Sequence, residues 1–190
     1  RLYLKGRLKD LIVLPNGLEF MTVFLAVARA GAIAAPLNSA YTDDEFKFYM
    51  EDANSQLAIL PPGPHEARTA AAQLGIPVME AALDTRGRVM LLRDGYALSA
   101  SRDPAPPSPD DVALFLHTSG TTSRPKGVPL RHANLMASLM NIKDTYRLTP
   151  DDVTLIVMPL FHVHGLLGAA LSTLNSGGTV VVPPKFSASA

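Results

Sequence analysis

Residues 11–38 read LIVLPNGLEFMTVFLAVARAGAIAAPLN, and this stretch decides the fold class. LIVLP at 11–15 is a short apolar run closed by Pro15-Asn16-Gly17, which predicts a buried strand followed by a turn. Leu18 to Arg29 contains no helix breaker and is apolar almost all round, which predicts a helix covered on most sides. Gly31 stands where a C-cap is expected, and IAAPLN at 33–38 reads as another short buried strand. Strand, helix and strand in so short a span make a βαβ unit with parallel strands.

The alternation continues outward. Thr42-Asp43-Asp44-Glu45 is a capping box with acidic residues in the first turn, and it opens a helix through about Asp52. QLAIL at 56–60 is a strand stopped by Pro61-Pro62-Gly63-Pro64. A helix from about His65 to Leu74 then precedes Gly75 and a short strand, Ile76–Val78. The expected fold is α/β, with layered, parallel-rich sheets flanked by helices.

From Asp84 to Asp111 the pattern weakens, and PAPPSPDD at 104–111 reads as a Pro-rich connection. DVALFLHTSG follows as a strand entering a loop, with VPL at 128–130 as a returning strand. His132 to Tyr146 is helical, with Leu135, Leu139, Ile142 and Tyr146 on one face. Val153 to Leu160 is expected to be a buried strand, His164 to Asn175 a helix ended by Gly177-Gly178, and Thr179–Val182 a further strand. The organisation expected is a first α/β subdomain at 1–103, the connection at 104–111, and the start of a second α/β subdomain at 112–190. The chain opens on Arg1 and ends in SASA after a strand-like run, so it reads as a fragment.

Composition narrows the function classes. The 190 residues are 47% hydrophobic, enough for a real core, and 17 Lys plus Arg balance 17 Asp plus Glu. Zero net charge argues against a nucleic-acid partner and gives no attraction to an anionic membrane. The most apolar stretch, Phe20 to Leu37, is interrupted by Arg29, Gly31 and Pro36, which a bilayer span would not accept. With no cysteine there are no disulfides or thiolate metal sites, which fits an intracellular protein. No feature speaks to oligomeric state.

Two stretches carry chemistry. LHTSGTTSRPKGVPL, residues 116–130, crowds hydroxyls and glycines beside Lys126. Backbone N–H groups in such a loop can converge as a nest for an anion, with the ammonium adding a full charge. Gly127 is expected to let the chain turn back. A plain polar hairpin turn has the same composition. It is not a Walker A loop, because Lys126 precedes Gly127 and a strand follows. MPLFHVHGLLGA, residues 158–169, sets His162 and His164 where a strand gives way to a helix. Strand carboxyl ends are where open α/β sheets bind ligands. A metal site lacks a third ligand here, and a histidine satisfied by backbone at a helix start remains open.

The segment FLHTSGTTSRPKGVPLRHANL resembles the signature loop of the adenylate-forming superfamily, T-S-G-T-T-G-x-P-K-G. Residues 118–127 match it at every fixed place except Ser123, where that family has Gly. Residues 14–60 resemble the first α/β subdomain of the large N-terminal domain of the same enzymes. The resemblance implies that Thr118, Ser119, Gly120, Thr121, Thr122 and Lys126 contact ATP. It further places Phe161 and His162 of the P-x-F-H segment beside the acyl-substrate and thiol path. TTSRPKG together with PLFHVHG is most similar to oxalate–CoA ligases, and malonate-activating relatives share a similar FHxHG segment. On that likeness His162 and His164 are candidates to contact the second carboxylate of a small dicarboxylate.

The implied substrates are a carboxylate, ATP with Mg²⁺, and coenzyme A. The implied reaction makes an acyl-adenylate with loss of pyrophosphate, then an acyl-CoA with loss of AMP. The lysine, ribose-binding aspartate and adenine seat that complete such a site belong to later segments of the family, so this piece is expected to be incomplete for catalysis. Other readings are a malonate or other acid–CoA ligase, an adenylating enzyme with a carrier-protein acceptor, and a nucleotide-binding module without catalysis. The family implies cytoplasm or peroxisome.

Overall fold

The computed structural model describes residues 9–99, 104–118 and 125–183. At its centre are parallel strands β1 (Lys9–Ile12), β2 (Ile33–Pro36), β3 (Leu57–Leu60) and β4 (Val78–Leu83). They are linked in turn by α1 (Leu18–Arg29), α2 (Asp43–Ala53) and α3 (Glu66–Gln73). β5 (Val89–Arg93) and β6 (Tyr96–Ala97) extend one side, and β7 (Val112–Thr118) and β8 (Lys126–Arg131) the other. The eight strands lie in the order β6-β5-β4-β3-β1-β2-β7-β8.

Alternation along the central strands explains the layering. Ile12, Ala34 and Ile59 face one way and pack with Phe20, Val23, Phe24 and Val27 of α1. Their neighbours Leu11, Ile33, Ala35, Ala58 and Leu60 face the other way, onto Phe46 and Met50 of α2 and the alanines of α3. Strands buried on both faces have no polar side, so they read as continuous apolar runs.

The capping box at Thr42 forms in both directions: the Glu45 amide donates to Thr42 Oγ1 (3.4 Å), and the Thr42 amide donates to Glu45 Oε2 (2.8 Å). α1 has the expected bounds, but one stripe of it is open, with Leu18 53% and Leu25 46% exposed. The first strand starts earlier than LIVLP and leaves the ladder after Ile12, although the Val13 amide still donates to the Ile59 carbonyl (3.0 Å).

The weakly patterned stretch after Asp84 is an antiparallel meander, β4-β5-β6. Its second turn is Asp94-Gly95, with φ of 52° and 81°, the two positive values a type I′ hairpin turn requires. The connection at 104–111 leads straight back into the same sheet, where β7 pairs with β2.

Beyond β8 comes α4 (His132–Tyr146), which buries Leu135 and Leu139 on the α1 side of the sheet. A small parallel pair follows, β9 (Val153–Leu155) with β10 (Thr179–Val181). The expected buried strand Val153–Leu160 is therefore much shorter and open, with Val153 and Leu155 exposed and only Ile156 and Leu160 sunk in the core. The expected helix His164–Asn175 is a π-helical run, His164–Leu171, passing directly into α5 (Ser172–Asn175). Among the described residues no helix is long and apolar enough to cross a membrane.

Candidate functional site: the cavity at the ends of β2 and β7

β7 and β8 are antiparallel, with His117 opposite Gly127 and Thr118 opposite Lys126. The described ends of the TSGTTSRPK stretch, Thr118 and Lys126, therefore stand side by side at the outer edge of the sheet, at the carboxyl end of β7. Ser119, Gly120, Thr121 and Thr122 lie outside the described residues. Thr118 Oγ1 donates to the Lys126 carbonyl across the neck (3.4 Å). Lys126 is exposed and makes no ion pair among the described residues. Gly127 does not turn the chain: it sits in β8, where an added Cβ would lie 2.1 Å from Cζ of Phe115. The glycine is needed because an aromatic ring lies on the backbone just past the lysine.

The ends of β2 and β7, neighbours in the sheet, open onto a cavity of about 440 Å³. Pro36, Leu37 and Asn38 form one wall, Tyr41 and Tyr49 a second, Leu116, His117 and Thr118 a third, and Phe161, His162 and Val163 close it. Among the sequence-derived candidates, Thr118, Phe161 and His162 meet there. His164 is not in the lining; it starts the π-helical run, its ring packed against Gly168. The His164 amide donates to Nδ1 of His162 (3.2 Å). His162 thus satisfies a helix-start amide, as one reading of the sequence had it, while its exposed ring also faces the cavity. With Nδ1 accepting, Nε2 carries the proton in the neutral ring and is the atom left to meet a ligand.

The histidine segment is held from two sides. Asn16, read above as a turn residue, donates from Nδ2 to the Met158 carbonyl (3.1 Å) and accepts the Leu160 amide at Oδ1 (2.8 Å). On the other side Gly165 lies so close that an added Cβ would be 2.3 Å from the Pro159 carbonyl oxygen. Residues 158–160 are clamped between the first βα turn and the π-helical run, and π-helical turns recur at functional sites.

The sequence did not single out His117, yet it is the most deeply built polar group of the site. Its side chain is 5% exposed, and its Nε2 lies 3.0 Å from Asp52 Oδ2 at the end of α2. An ionised carboxylate only accepts, so Nε2 carries the proton. The ring is wedged edge-on between Tyr49 (centroids 4.7 Å) and Phe115 (5.1 Å), and Tyr49 stacks on Tyr41 (4.9 Å). Nδ1 is buried with no hydrogen-bond partner among the described residues. Burial holds the His117 pKa below the usual imidazole value against the pull of Asp52, and Lys9 adds to the lowering. Lys9 donates to the Ala53 carbonyl and stands 4.7 Å over the Phe115 ring, so one polar and aromatic network ties β1, α2 and β7 together.

A signal for this pair existed. Asp52 sits in the last turn of α2, where the helix dipole disfavours an acid and no basic residue compensates. Only the fold supplies its partner, which is 65 residues away. No group of three or more His, Asp or Glu suited to a metal occurs among the described residues.

Comparisons with known proteins agree with this architecture. The chain is 50% identical over 182 residues to an oxalate–CoA ligase of Arabidopsis thaliana, covering 93% of this chain and 35% of that protein. It is 48% identical over 184 residues to a probable CoA ligase, CCL9, of Humulus lupulus, covering 94% of this chain and 35% of the relative. It therefore spans about a third of the length of these relatives. The ATP-bound structure of MatB from Rhodopseudomonas palustris superposes with a TM-score of 0.79 at 31% identity, over 97% of this chain and 36% of that one. The family model described as AMP-binding enzyme matches residues 9–190, and the chain belongs to that family.

Proposed function

We propose that this chain forms part of an ATP-dependent carboxylate–CoA ligase acting on a small dicarboxylate, with oxalate the first candidate. The observation that carries the reading is the meeting of the end of β7, Thr118 included, with Phe161 and His162 around one cavity, while Lys126 lies opposite Thr118 in β8. A phosphate-binding hairpin and an acyl-handling segment must adjoin if a carboxylate is to attack the α-phosphate of ATP. Attack of one anion on another requires positioning and neutralised charge. Lys126 and Thr118, with Ser119, Gly120, Thr121 and Thr122, would steady the departing pyrophosphate. Coenzyme A thiolate would then attack the acyl carbon of the adenylate and release AMP. The oxalate–CoA ligase relative supports the choice of acid.

His162, through Nε2, is the donor available to the second carboxylate. His164, outside the lining, would act by holding His162 in place. Mg²⁺ would arrive on the phosphates of ATP. No described residue lining the cavity is a carboxylate that could ligate it, so no step is assigned to it here.

The test is oxalate-dependent exchange of labelled pyrophosphate into ATP by the full-length protein. Exchange with oxalate that stays silent with longer acids is the expected result. Absence of exchange with every carboxylate would overturn the proposal. Lys126→Ala should lower exchange about 100-fold or more while leaving the melting temperature within a few degrees. A variant that simply unfolds would mark the lysine as structural.

A further inference from the structure

His117 is buried, forms part of the cavity wall and keeps one ring nitrogen unpaired. A buried polar atom without a partner costs about 1–3 kcal/mol, so its persistence calls for a partner that comes and goes. The two nitrogens are not equivalent. Nε2–H is fixed on Asp52, so a proton gained by the ring must go to Nδ1. The Asp52 carboxylate and the carbonyl end of α2 stabilise the imidazolium that results. Burial and Lys9 oppose it and favour the neutral ring. An anion that reaches Nδ1, which this arrangement keeps covered, would reverse that balance.

We propose that His117 is a proton-coupled oxyanion receptor: it gains a proton at Nδ1 as an oxyanion enters the cavity, and Nδ1–H becomes the anion's donor. The only bond formed is N–H at Nδ1, its proton released by solvent, and the imidazolium is neutralised by Asp52 behind it and the ligand in front. The groups facing the ring from each packed element are Asp52 and Tyr49 of α2 and Lys9 of β1, with Tyr41 stacked on Tyr49. His162 lies elsewhere in the cavity wall, and Lys126 is in the paired strand. Neither His162 nor Lys126 touches Nδ1, since that atom has no partner among the described residues. The oxyanion can be a carboxylate or a phosphate. That it is the carboxylate of oxalate rests on the function proposed above.

The experiment follows the His117 imidazole by NMR in the full-length protein through a pH titration, first alone, then with oxalate, then with inorganic pyrophosphate. The expected result is an upward shift of the His117 pKa by about one unit with oxalate. By linkage this means about tenfold tighter oxalate binding to the protonated protein. A shift with pyrophosphate alone keeps the receptor but assigns it to the phosphate end. No shift with either anion, or a downward one, overturns it.

His117→Gln should raise the KM for oxalate about tenfold or more and flatten its pH dependence, with the KM for ATP little changed. Asp52→Asn guards against a folding defect at position 117: it keeps the imidazole but should shrink the anion-induced shift. If the wild type activates no carboxylate yet pyrophosphate still shifts His117, the functional reading fails and the receptor stands.

Discussion

The centre of the large sheet and the β9–β10 pair are built from the same residue types and meet opposite fates. Ile12, Ile33, Ile59 and Leu60 are almost wholly buried, whereas Val153 is 67% and Leu155 53% exposed. β1, β2 and β3 each have a parallel neighbour on both sides and helices on both faces. Among the described residues β9 has one partner strand, and only the Ile156–Leu160 end of its segment reaches the core. Apolar sequence makes a strand possible, but burial depends on how many layers the fold brings to it. In this molecule the deep layers supply stability, and the segment that follows the thinly covered β9 supplies His162.

The comparison can be broken most decisively at its two extremes. Ile59→Ala should cost about 3–4 kcal/mol in chemical denaturation, because the site is packed on both sides and cannot collapse. Leu155→Ala should cost about 0.5 kcal/mol or less. Equal costs would mean that the β9–β10 pair is as buried as the main sheet.

Asn16→Ala tests the joint between the two regions. It leaves the Met158 carbonyl and the Leu160 amide without their partner, and should cost about 1–3 kcal/mol. Faster hydrogen exchange at the Leu160 amide than at the Ile59 amide would locate the loosening in the His162 segment.

A pH-dependent effect sharpens the picture of the central layer. Asp10 lies in β1 at 8% exposure, and burial raises its pKa from 3.8 to about 6. The folded protein then holds this proton more tightly than the unfolded chain does. Stability falls as pH rises from about 4 to 6, and the loss remains in full above that. Asp10→Asn should therefore stabilise the protein by about 1–2 kcal/mol at pH 7, the shift being discounted for partial solvation, and by nothing near pH 3.5. A melting series across pH reads this directly.

Legibility followed the range of the interactions. α1 and the capping box of α2 are fixed by residues within a few places of each other, and their sequences announced them. The β5–β6 hairpin was equally local, and its Asp94-Gly95 turn was readable; the missing cue was alternation in two strands that are nowhere fully buried. The reading of residues 153–160 as a buried strand failed because apolar runs do not say how many neighbours a strand will have. The hairpin neck and His162 came from motifs, since their chemistry is concentrated in adjacent residues. His117–Asp52 and Asn16 with residues 158–160 were invisible for the opposite reason, each joining positions far apart in the chain.

The sequence by itself determined the α/β alternation, the placing of a cationic, hydroxyl-rich turn after a strand, and membership in a family defined by that turn. These rest on local periodicity and contiguous motifs. Only the tertiary structure decided which histidines share a cavity, that Gly127 serves the Phe115 ring and not the turn, and that Asp52 has a partner. Packing in three dimensions sets such pairs, and no spacing along the chain encodes them.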